Sequence, residues 1–511
     1  MNTITDPTGT PARPADSTRV LVPSGVLGLG FDREALARGV ALAPDIIAID
    51  GGSTDSGPCY LGTATSKYSQ AVVAGEWQEL LEARHAAGVP LVIGSAGTCG
   101  TDNQVDALLE ITRDWAERRG VAVRVATIRT QQDASTLIAA HRRGALHPLS
   151  TTAPVKAGGR DGERDGARDG AQDEALVDTL AACTHIVALA GAEAFIEALR
   201  EGADVVIAGR ATDTALIAAL PLMRMGLTGM TGLSADANTD AGAAAGAAWH
   251  AAKIAECGAL CSTRPASGVI LVDIDAGGFS VQPLARGACC TPFTVSAHML
   301  YENADPHLLV EPGGRLDVSG ARYEALDERS VRVTGSRWQS DPRYTLKLEG
   351  TRALGHQCSS LVLVREPRYV QRIGEWCALL EARIRSDIER HLDVPADAVT
   401  LELRRIGVDA TLGALEFATG TPVEVGILLI VTAADADTAL DVARLANPSL
   451  LHLPLPDDDA MPSFAFPWSP AESVRGVLYG FCLDHVVEVA HPTALLRIAA
   501  VTIGAPAGEA G

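Results

Sequence analysis

The chain has few aromatic residues and no element typical of membrane or secreted proteins. Phe, Trp and Tyr make up 4% of its 511 residues, which argues against aromatic stacking platforms for single-stranded nucleic acid. No run approaches the roughly 20 apolar residues of a membrane span. The polar N-terminus MNTITDPTGTPARPADSTRV lacks the apolar core of a signal peptide. We therefore expect a cytoplasmic protein that does not associate with membranes, with residues 1–18 as a disordered leader.

Positive charge is also scarce. Lys and Arg number 42 against 63 Asp and Glu, which gives a formal net charge of −21 and a sequence pI of about 5.0. This balance argues against non-specific binding to nucleic acid or to an anionic membrane surface. A small anionic substrate remains compatible with it, because local Arg and Lys side chains decide such binding.

Motifs for nucleotides, zinc and disulfides are missing. The chain contains neither G-x-x-x-x-G-K-[ST] nor G-x-G-x-x-G nor H-E-x-x-H. Its ten cysteines do not form a disulfide framework in a chain of this length. Cys257, Cys261, Cys289 and Cys290 fit no zinc spacing, and they would have to meet in space to hold a structural metal.

The first half alternates short apolar runs with helical runs, as in a parallel sheet with crossover helices. The predicted strands begin at Arg19, Asp45, Leu91, Val121, His185 and Asp204. The predicted helices between them are Asp32–Val40, Gly75–Ala87, Val105–Arg119, Asp133–Arg143 and Ala192–Glu201. We predict an α/β fold, with a largely parallel sheet and flanking helices in a Rossmann-like domain over residues 19–265. Residues 157–175, rich in Gly and charge, are predicted to be a disordered insertion.

The second half has more strands and fewer helices. We predict a second domain of the α+β class over residues 266–457, containing helices at Val370–His391 and Thr438–Ala446. The remaining residues, 458–511, are predicted to form a C-terminal docking segment and tail. Ser469–Val489 is predicted to be helical, because Ser469-Pro470 is typical of an N-cap followed by the first helical residue.

A glycine-rich turn follows the strand that begins at Leu91. Glycines allow a ligand to approach the backbone, and the first N–H groups of the next helix favour an anion. We therefore expect the turn to bind the anionic group of a substrate, with Cys99 as nucleophile or proton donor and Asp102 as an acid–base group. The substrate-binding residues of this turn are Gly94, Ser95, Gly97, Thr98 and Gly100. The alternative is a tight turn whose glycines serve only strand-to-helix packing.

Three further turns lie on the same side of the predicted sheet. Asp50 and Asp55 flank a glycine-rich turn and could act as acid–base groups or hold a divalent cation such as Mg²⁺; turn formation alone is the alternative. Arg210 could bind a carboxylate with two hydrogen bonds, and Asp213, also predicted to be in the substrate site, could orient it or cap the next helix. The alternative is an internal Arg210–Asp213 ion pair. The other predicted substrate contacts in these turns are Ser24, Gly25, Ser53 and Thr54.

Two more constellations carry titratable groups. Glu256-Cys257 falls at a helix end, where the adjacent acid works against thiolate formation, so a buried structural Cys is favoured. His298 is a candidate proton carrier that shares one helical face with Tyr301 and Glu302 by i, i+3, i+4 spacing; a structural His is the alternative. Lys347, a further predicted substrate contact, alternates with Glu349 on a strand, so both share a face.

Several segments together resemble the acyclic terpene utilisation AtuA family. They are GAEAFIEALREGADVVIAGRATDTA, AKIAECGA, AHMLYENADPHLLVEPGG and KLEG. The resemblance extends over most of the chain, from Arg19 to the stretch near Asp457. It implies a bacterial catabolic protein of branched-chain or terpenoid acid breakdown.

The sequence also departs from this resemblance, because it lacks the GDKG-type motif of a C-terminal ferredoxin-like domain. It resembles the subgroup in which a small separate protein supplies that domain. A small ferredoxin-like partner subunit would then dock on SPAESVRGVLYGFCLDHVVEV. We also expect a homo-oligomer.

These observations favour an enzyme that acts on a small carboxylic acid or its acyl-CoA. A lyase (hydratase) or isomerase reaction fits the candidate acid–base groups better than redox chemistry, and no cofactor other than a divalent cation is implied. The alternatives are a non-catalytic metabolite-binding or scaffolding subunit and a metal-dependent hydrolase.

Overall fold

The computed structural model describes residues 13, 16–149, 170–227, 239–265, 268–418, 420–457 and 460–504. The chain divides into two compact units, one formed by Met1–Thr351 with Phe481–Gly511 and the other by Arg352–Gly480. Most of the predicted leader and residues 157–169 of the predicted insertion lie outside the described residues. The backbone of residues 170–175 is helical, so that end of the predicted insertion is ordered.

Helices and strands alternate over the first part of the described chain. The helices are α1 (Arg33–Ala41), α2 (Cys59–Thr63), α3 (Gln70–Ala87), α4 (Asp102–Arg119), α5 (Ala134–Arg142), α6 (Gly170–Ala181), α7 (Ala192–Arg200), α8 (Ala215–Arg224), α9 (Asp240–Ala255), α10 (Pro292–His298), α11 (Pro367–Gln371), α12 (Ile373–His391) and α13 (Ala436–His452). The strands are β1 (Thr18–Val22), β2 (Ile46–Asp50), β3 (Leu91–Gly94), β4 (Val123–Arg129), β5 (Leu146–Pro148), β6 (His185–Ala188), β7 (Val205–Ala208), β8 (Ile270–Asp275), β9 (Gly278–Pro283), β10 (Leu308–Glu311), β11 (Gly314–Asp317), β12 (Arg322–Ala325), β13 (Val331–Thr334), β14 (Arg337–Ser340), β15 (Thr345–Val364), β16 (Thr400–Ile406), β17 (Val425–Ala433), β18 (Glu472–Glu488) and β19 (Arg497–Ile503). None of these helices combines the length and apolarity needed to cross a membrane.

A ten-stranded sheet forms the centre of the first compact unit. Its order is β12-β13-β9-β8-β1-β2-β3-β7-β4-β19. The five strands β1, β2, β3, β7 and β4 are parallel to their neighbours within this group, whereas β8 and β19 join its two ends in antiparallel register. The predicted α/β class with a largely parallel N-terminal sheet is confirmed.

Helices cover both faces of the parallel strands. Leu21, Ile47 and Ile93 point to the face covered by α1, α3 and α4, whereas Val20 and Val92 point to the face covered by α7, α8 and α9. Because successive side chains of a strand point to opposite faces, both sets must be apolar. This burial explains why the strands appear in the sequence as nearly continuous apolar runs.

The first compact unit is larger than the predicted domain 19–265. Strand β8 pairs with β1, and β9 pairs with β8, so residues beyond 265 extend the same sheet. Strand β6 lies outside this sheet, although the alternating pattern placed it within the parallel series, because it pairs with residues 348–351 of β15.

The second compact unit is built on an antiparallel sheet packed against helices. Residues 356–364 of β15 pair with β17, and β17 pairs with β16. Helices α12 and α13 place Trp376, Leu380 and Leu450 in its core. Both helices were predicted from the sequence, with nearby bounds.

The helix predicted at Ser469–Val489 is wrong, because this segment forms strand β18. Valines and aromatic residues favour a strand, and two glycines inside the segment weaken a helix. Residues 485–487 of β18 pair with β5. The Ser-Pro pair that indicated an N-cap therefore precedes a strand instead.

Candidate functional site

A cavity of about 610 Å³ lies where the parallel strands of the first compact unit end. Residues that follow β1, β2, β3 and β7 line it, which is the usual place for ligands in open α/β sheets. The lining residues are Ser24, Gly25, Val26, Leu29, Gly30, Gly52, Ser53, Asp55, Lys67, Tyr68, Thr98, Asp213, Glu256, Cys257, Ala259, Leu260, Pro265, Gly268, Tyr301 and Glu302. Six residues of the predicted site line this cavity: Ser24, Gly25, Ser53, Asp55, Thr98 and Asp213.

The lining changes in character with depth. The cavity floor is defined by its buried members Ser24, Gly52, Thr98, Glu256 and Ala259. The cavity rim is defined by its exposed members, which are Leu29, Gly30, Asp55, Lys67, Leu260, Pro265, Tyr301 and Glu302. Hydroxyl and carboxyl groups thus lie at the bottom, and a mixture of apolar and charged side chains surrounds the opening.

Glu256 is a titratable group on the floor. It directly follows α9, and its Oε1 lies 2.5 Å from Nζ of Lys253 on the same helix. Both side chains are about 5% exposed. Burial and the nearby carboxylate of Asp213 raise the pKa of Glu256 to about 8, although the Lys253 ammonium opposes this shift. A carboxyl group with such a pKa can both donate and accept a proton near neutral pH.

Asp213 is a second carboxyl group in the lining, and Arg210 supports it from behind. The Nη1 atom of Arg210 donates to Asp213 Oδ1 at 3.2 Å, to Ser95 Oγ at 2.9 Å and to the Ala211 carbonyl oxygen at 2.8 Å. Burial raises the pKa of Asp213 despite the opposing charge of Arg210. Arg210 itself does not line the cavity, so the geometry favours the internal ion pair over a direct substrate contact.

Glu349 completes the pairing of this arginine. Its carboxylate accepts from Arg210 Nε at 3.0 Å and Nη2 at 3.3 Å, and from Thr54 Oγ1 at 3.0 Å. Burial opposes ionisation of Glu349, but Arg210 holds its pKa below the ordinary value. Lys347 Nζ lies 3.6 Å from Glu349 Oε1, which confirms that the two share a face. Neither Thr54 nor Lys347 is part of the cavity lining.

Asp50 is buried beneath the cavity floor. Its Oδ2 accepts from the backbone N–H of Gly52 at 2.8 Å, and its Oδ1 has no hydrogen-bond partner. Burial and the charge of Asp213 raise its pKa well above the ordinary value. Asp50 therefore holds the backbone of Gly52 on the floor in place, and its raised pKa favours the protonated carboxyl group. Asp55, in contrast, lies on the rim.

The glycine-rich turn after β3 packs tightly against neighbouring backbone. The N–H groups of Ser95 and Gly100 already donate to the carbonyl oxygens of Gly209 and Ala96. A Cβ on Gly100 would lie 2.1 Å from the backbone nitrogen of Arg210. From the whole turn, only Thr98 lines the cavity. These contacts favour the packing interpretation for Gly94, Gly97 and Gly100 over an anion cradle.

Neither Cys99 nor Asp102 lines the cavity. The Cys99 side chain is fully buried and packs with Leu61 and Val187. Burial raises the pKa of its thiol, which is the opposite of what a nucleophile needs. Asp102 forms an ion pair with Arg497 of β19. The catalytic roles predicted for both residues have no support in this geometry.

His298 is buried next to the cavity but outside its lining. Burial, with a smaller effect from Lys253, lowers its pKa to about 4. Its ring stacks on Tyr301 with centroids 5.6 Å apart. The spacing predicted that His298, Tyr301 and Glu302 share one helical face. This prediction is wrong, because helix α10 ends at His298 and the other two residues lie beyond it. His298 is therefore a neutral imidazole near neutral pH, and its ring packs against Tyr301 on the rim.

Two residues of the cavity lining have strained backbone. Thr98 and Glu302, both in the lining, have φ angles of 75° and 57°. Such values are rare for residues with a side chain, and for a β-branched threonine they are a genuine outlier. Strain of this kind is common at functional sites, but five other non-glycine residues of the described chain with positive φ lie outside this lining, so it does not by itself identify the site.

Within the part of the chain that the structure describes, no group of three or more His, Cys, Asp or Glu is arranged to hold a metal ion. The four cysteines considered for a structural metal, Cys257, Cys261, Cys289 and Cys290, are free thiols. The alternative of a metal-dependent hydrolase therefore gains no support from a cluster of ligands.

Three residues that the sequence reasoning did not select are prominent in this site. Glu256 was considered only as a neighbour of Cys257, Glu349 only as a partner of Lys347, and Lys67 not at all. The Lys253-x-x-Glu256 spacing is the signal that could have identified Glu256, because i, i+3 charges on a helix are neighbours.

The fold and the cavity define an α/β protein with an acid-rich cavity at the carboxyl ends of parallel strands. The chain belongs to the AtuA family: the model of the family described as "Acyclic terpene utilisation family protein AtuA" matches residues 59–454. This membership implies a role in acyclic terpene utilisation. No curated protein and no solved structure matches the chain.

Proposed function

We propose that the protein is a catabolic enzyme that catalyses a proton-transfer reaction on a small branched-chain or terpenoid carboxylic acid or its thioester. The reaction is a hydration, an elimination or an isomerisation. The observation that carries this proposal is Glu256, a buried carboxyl group on the cavity floor whose pKa is raised to about 8.

Glu256 acts as the general acid and base of this reaction. Near neutral pH it holds a proton that it can donate to a bound substrate, and the Lys253 ammonium at 2.5 Å stabilises the carboxylate that remains. Asp213 lines the same cavity next to Arg210. Two carboxyl groups in different environments are the usual arrangement for separate acid and base roles.

Lys67 is proposed to bind the anionic end of the substrate. Of the described side chains that line the cavity, Lys67 is the one that carries a positive charge. Its Nζ lies 5.5 Å from the ring centroid of Tyr68, which also lines the cavity. Lys67 therefore takes the place of Arg210 as the proposed anchor of the substrate anion, because the guanidinium of Arg210 is already paired within the protein.

Solvent deuterium exchange tests the proposal without knowledge of the net reaction. The purified protein is incubated in D₂O with branched and terpenoid acids and their coenzyme A esters, and label next to the carbonyl is measured by mass spectrometry. We expect Glu256→Gln to lose about 10²–10⁴-fold in exchange rate, as for removal of a general acid–base group. The matched control is Glu302→Gln on the rim, which should retain most of the rate.

A full rate in Glu256→Gln would refute this assignment. A non-catalytic metabolite-binding subunit is the second candidate, favoured by the burial of Cys99 and the internal pairing of Arg210. It predicts thermal stabilisation by the same ligands, of the form RT ln(1 + [L]/Kd), without any exchange in the wild-type protein.

A further inference from the structure

We propose that Cys183 and Cys482 form a reversible disulfide bond when the protein meets an oxidised low-molecular-weight thiol such as glutathione disulfide. Both residues belong to the first compact unit, and the bond attaches its C-terminal strands covalently to the segment between α6 and β6. Neither cysteine lines the cavity, so this inference is independent of the proposed function.

The two sulfur atoms are in direct contact. Cys183 lies in the turn between α6 and β6, and Cys482 lies in β18. They are 299 positions apart in the sequence, yet their Sγ atoms are only 3.2 Å apart. The Cys183 thiol donates to the carbonyl oxygen of Thr179 at 3.2 Å, which leaves its sulfur lone pairs for the Cys482 thiol. A disulfide needs the sulfur atoms about 2 Å apart, so the side chains have to approach by only about 1 Å.

Strand β15 holds the backbone next to both cysteines. The N–H of Thr184 donates to the carbonyl oxygen of Thr351 at 2.7 Å. A Cβ on Gly350 would lie 2.5 Å from Cδ1 of Leu483 and 3.3 Å from Sγ of Cys183, so the absence of a side chain at this glycine leaves room for both segments. Fixed neighbours give one thiol a high effective concentration at the other, which favours the internal disulfide over a mixed one.

Access distinguishes this pair from a second pair of thiols in the same unit. Cys183 and Cys482 are both partly exposed, so a small disulfide reagent can reach them. The side chains of Cys261 and Cys290 are hydrogen-bonded to each other, but they are only 0% and 2% exposed. Because thiol–disulfide exchange requires access to the attacking sulfur, the second pair serves as an internal control.

The reaction is two successive thiol–disulfide exchanges. The thiolate of one cysteine attacks a sulfur of glutathione disulfide, which forms a mixed disulfide and releases one glutathione. The thiolate of the other cysteine then attacks the protein sulfur of that mixed disulfide and releases the second glutathione. The protein loses two electrons and two protons, and glutathione disulfide gains them as two thiols.

The bond closes a long loop and should therefore stabilise the protein. The loop contains all of the second compact unit, Arg352–Gly480. A crosslink restricts the unfolded chain more as the loop that it closes becomes longer. We expect the oxidised protein to melt several degrees above the reduced protein.

Peptide mass spectrometry and thermal melting test the proposal. The reduced full-length protein is incubated with glutathione disulfide, its remaining thiols are alkylated in acid-quenched samples, and the peptides are analysed without reduction. We expect a linked Cys183–Cys482 peptide that dithiothreitol removes, and unlinked Cys261 and Cys290. Cys482→Ser should instead accumulate one glutathione on Cys183 and lose the rise in melting temperature. Cys59→Ser is the matched control, because Cys59 is exposed and its removal should leave both the link and the rise intact.

Three results would overturn the proposal. Mixed glutathione adducts on the wild-type protein without the linked peptide would show that the two thiols do not react with each other. Equal linking of the buried pair would show that access does not select Cys183 and Cys482. An unchanged melting temperature in the linked protein would refute the covalent attachment as a stabilising device, and Cys183→Ser, the reciprocal variant, checks that any loss in Cys482→Ser comes from the missing bond.

Discussion

Glu349→Gln tests the energetics of the buried ion pair behind the cavity. Glu349 and Arg210 are 7% and 6% exposed, and two guanidinium nitrogens, at 3.0 and 3.3 Å, donate to the carboxylate. The substitution keeps the shape of the side chain but leaves a buried guanidinium with less compensating charge. Breaking a buried pair typically costs about 3–5 kcal/mol. We expect the lower end of this range, because Asp213 still accepts from Arg210.

Glu79→Gln provides the matched control for this measurement. Glu79 also binds an arginine through two nitrogens, Arg33 Nε at 2.8 Å and Nη2 at 2.7 Å, but its partner is 75% exposed. Judged by distance alone, this exposed pair would be the stronger one. Burial predicts the opposite order, because water screens the exposed charges and solvates them after the substitution.

Urea denaturation followed by tryptophan fluorescence measures both variants. Glu349→Gln should lower the transition midpoint substantially with an unchanged m value, whereas Glu79→Gln should leave the midpoint close to that of the wild type. Equal shifts in the two variants would refute the argument that burial, rather than hydrogen-bond geometry, determines the contribution of these pairs.

Three further predictions concern single residues of the first compact unit. The pKa of Glu256 in the folded protein, about 8, lies above its ordinary value of 4.5, so the free energy of unfolding should decline as pH rises between these values. In denaturation curves recorded at several pH values, Glu256→Gln should flatten this decline by at most about 1.4 kcal/mol per pH unit. Iodoacetamide should modify the exposed Cys59 and leave the buried Cys99 unmodified in the native protein, and peptide mass spectrometry showing rapid labelling of Cys99 would contradict its burial. Gly100→Ala should destabilise the protein more than Gly120→Ala. Both glycines have a φ of 66°, but only the new Cβ at position 100 would lie close to other backbone, 2.1 Å from the nitrogen of Arg210. Equal melting temperatures of the two variants would argue against this close packing.

The fold was largely predictable from the sequence because the parallel strands are buried on both faces. Such strands must be apolar throughout, so β1, β2, β3 and β7 stand out as short runs between amphipathic helices. Strand β18 was mistaken for a helix, since its local Ser-Pro signal gave no information on the pairing with β5. Strand partners depend on contacts distant in sequence, which a local pattern does not specify.

The position of the cavity was predictable, but the side chains that line it were only partly so. Turns at the carboxyl ends of parallel strands face one edge of the sheet, which brought Ser24, Asp55 and Thr98 together as expected. Whether a turn faces the cavity or packs on its neighbour depends on contacts such as that between Gly100 and Arg210. A sequence indicates which residues can carry chemistry, whereas tertiary packing determines which of them a ligand reaches.

Strand β19 has a consequence for the growing chain. It pairs with β4 along its whole length, from Arg497 opposite Arg129 to Ile503 opposite Val123. Nearly 300 residues separate β19 from β7, the other neighbour of β4, and a ribosome needs about 15–60 s to add them. During that time one edge of β4 has no partner, and an open strand edge is a template for pairing with another chain. Nascent chains that end before β19 should therefore aggregate more readily than chains that contain it. The open edge of β4 is protected only once β19 has been synthesised and has paired with it.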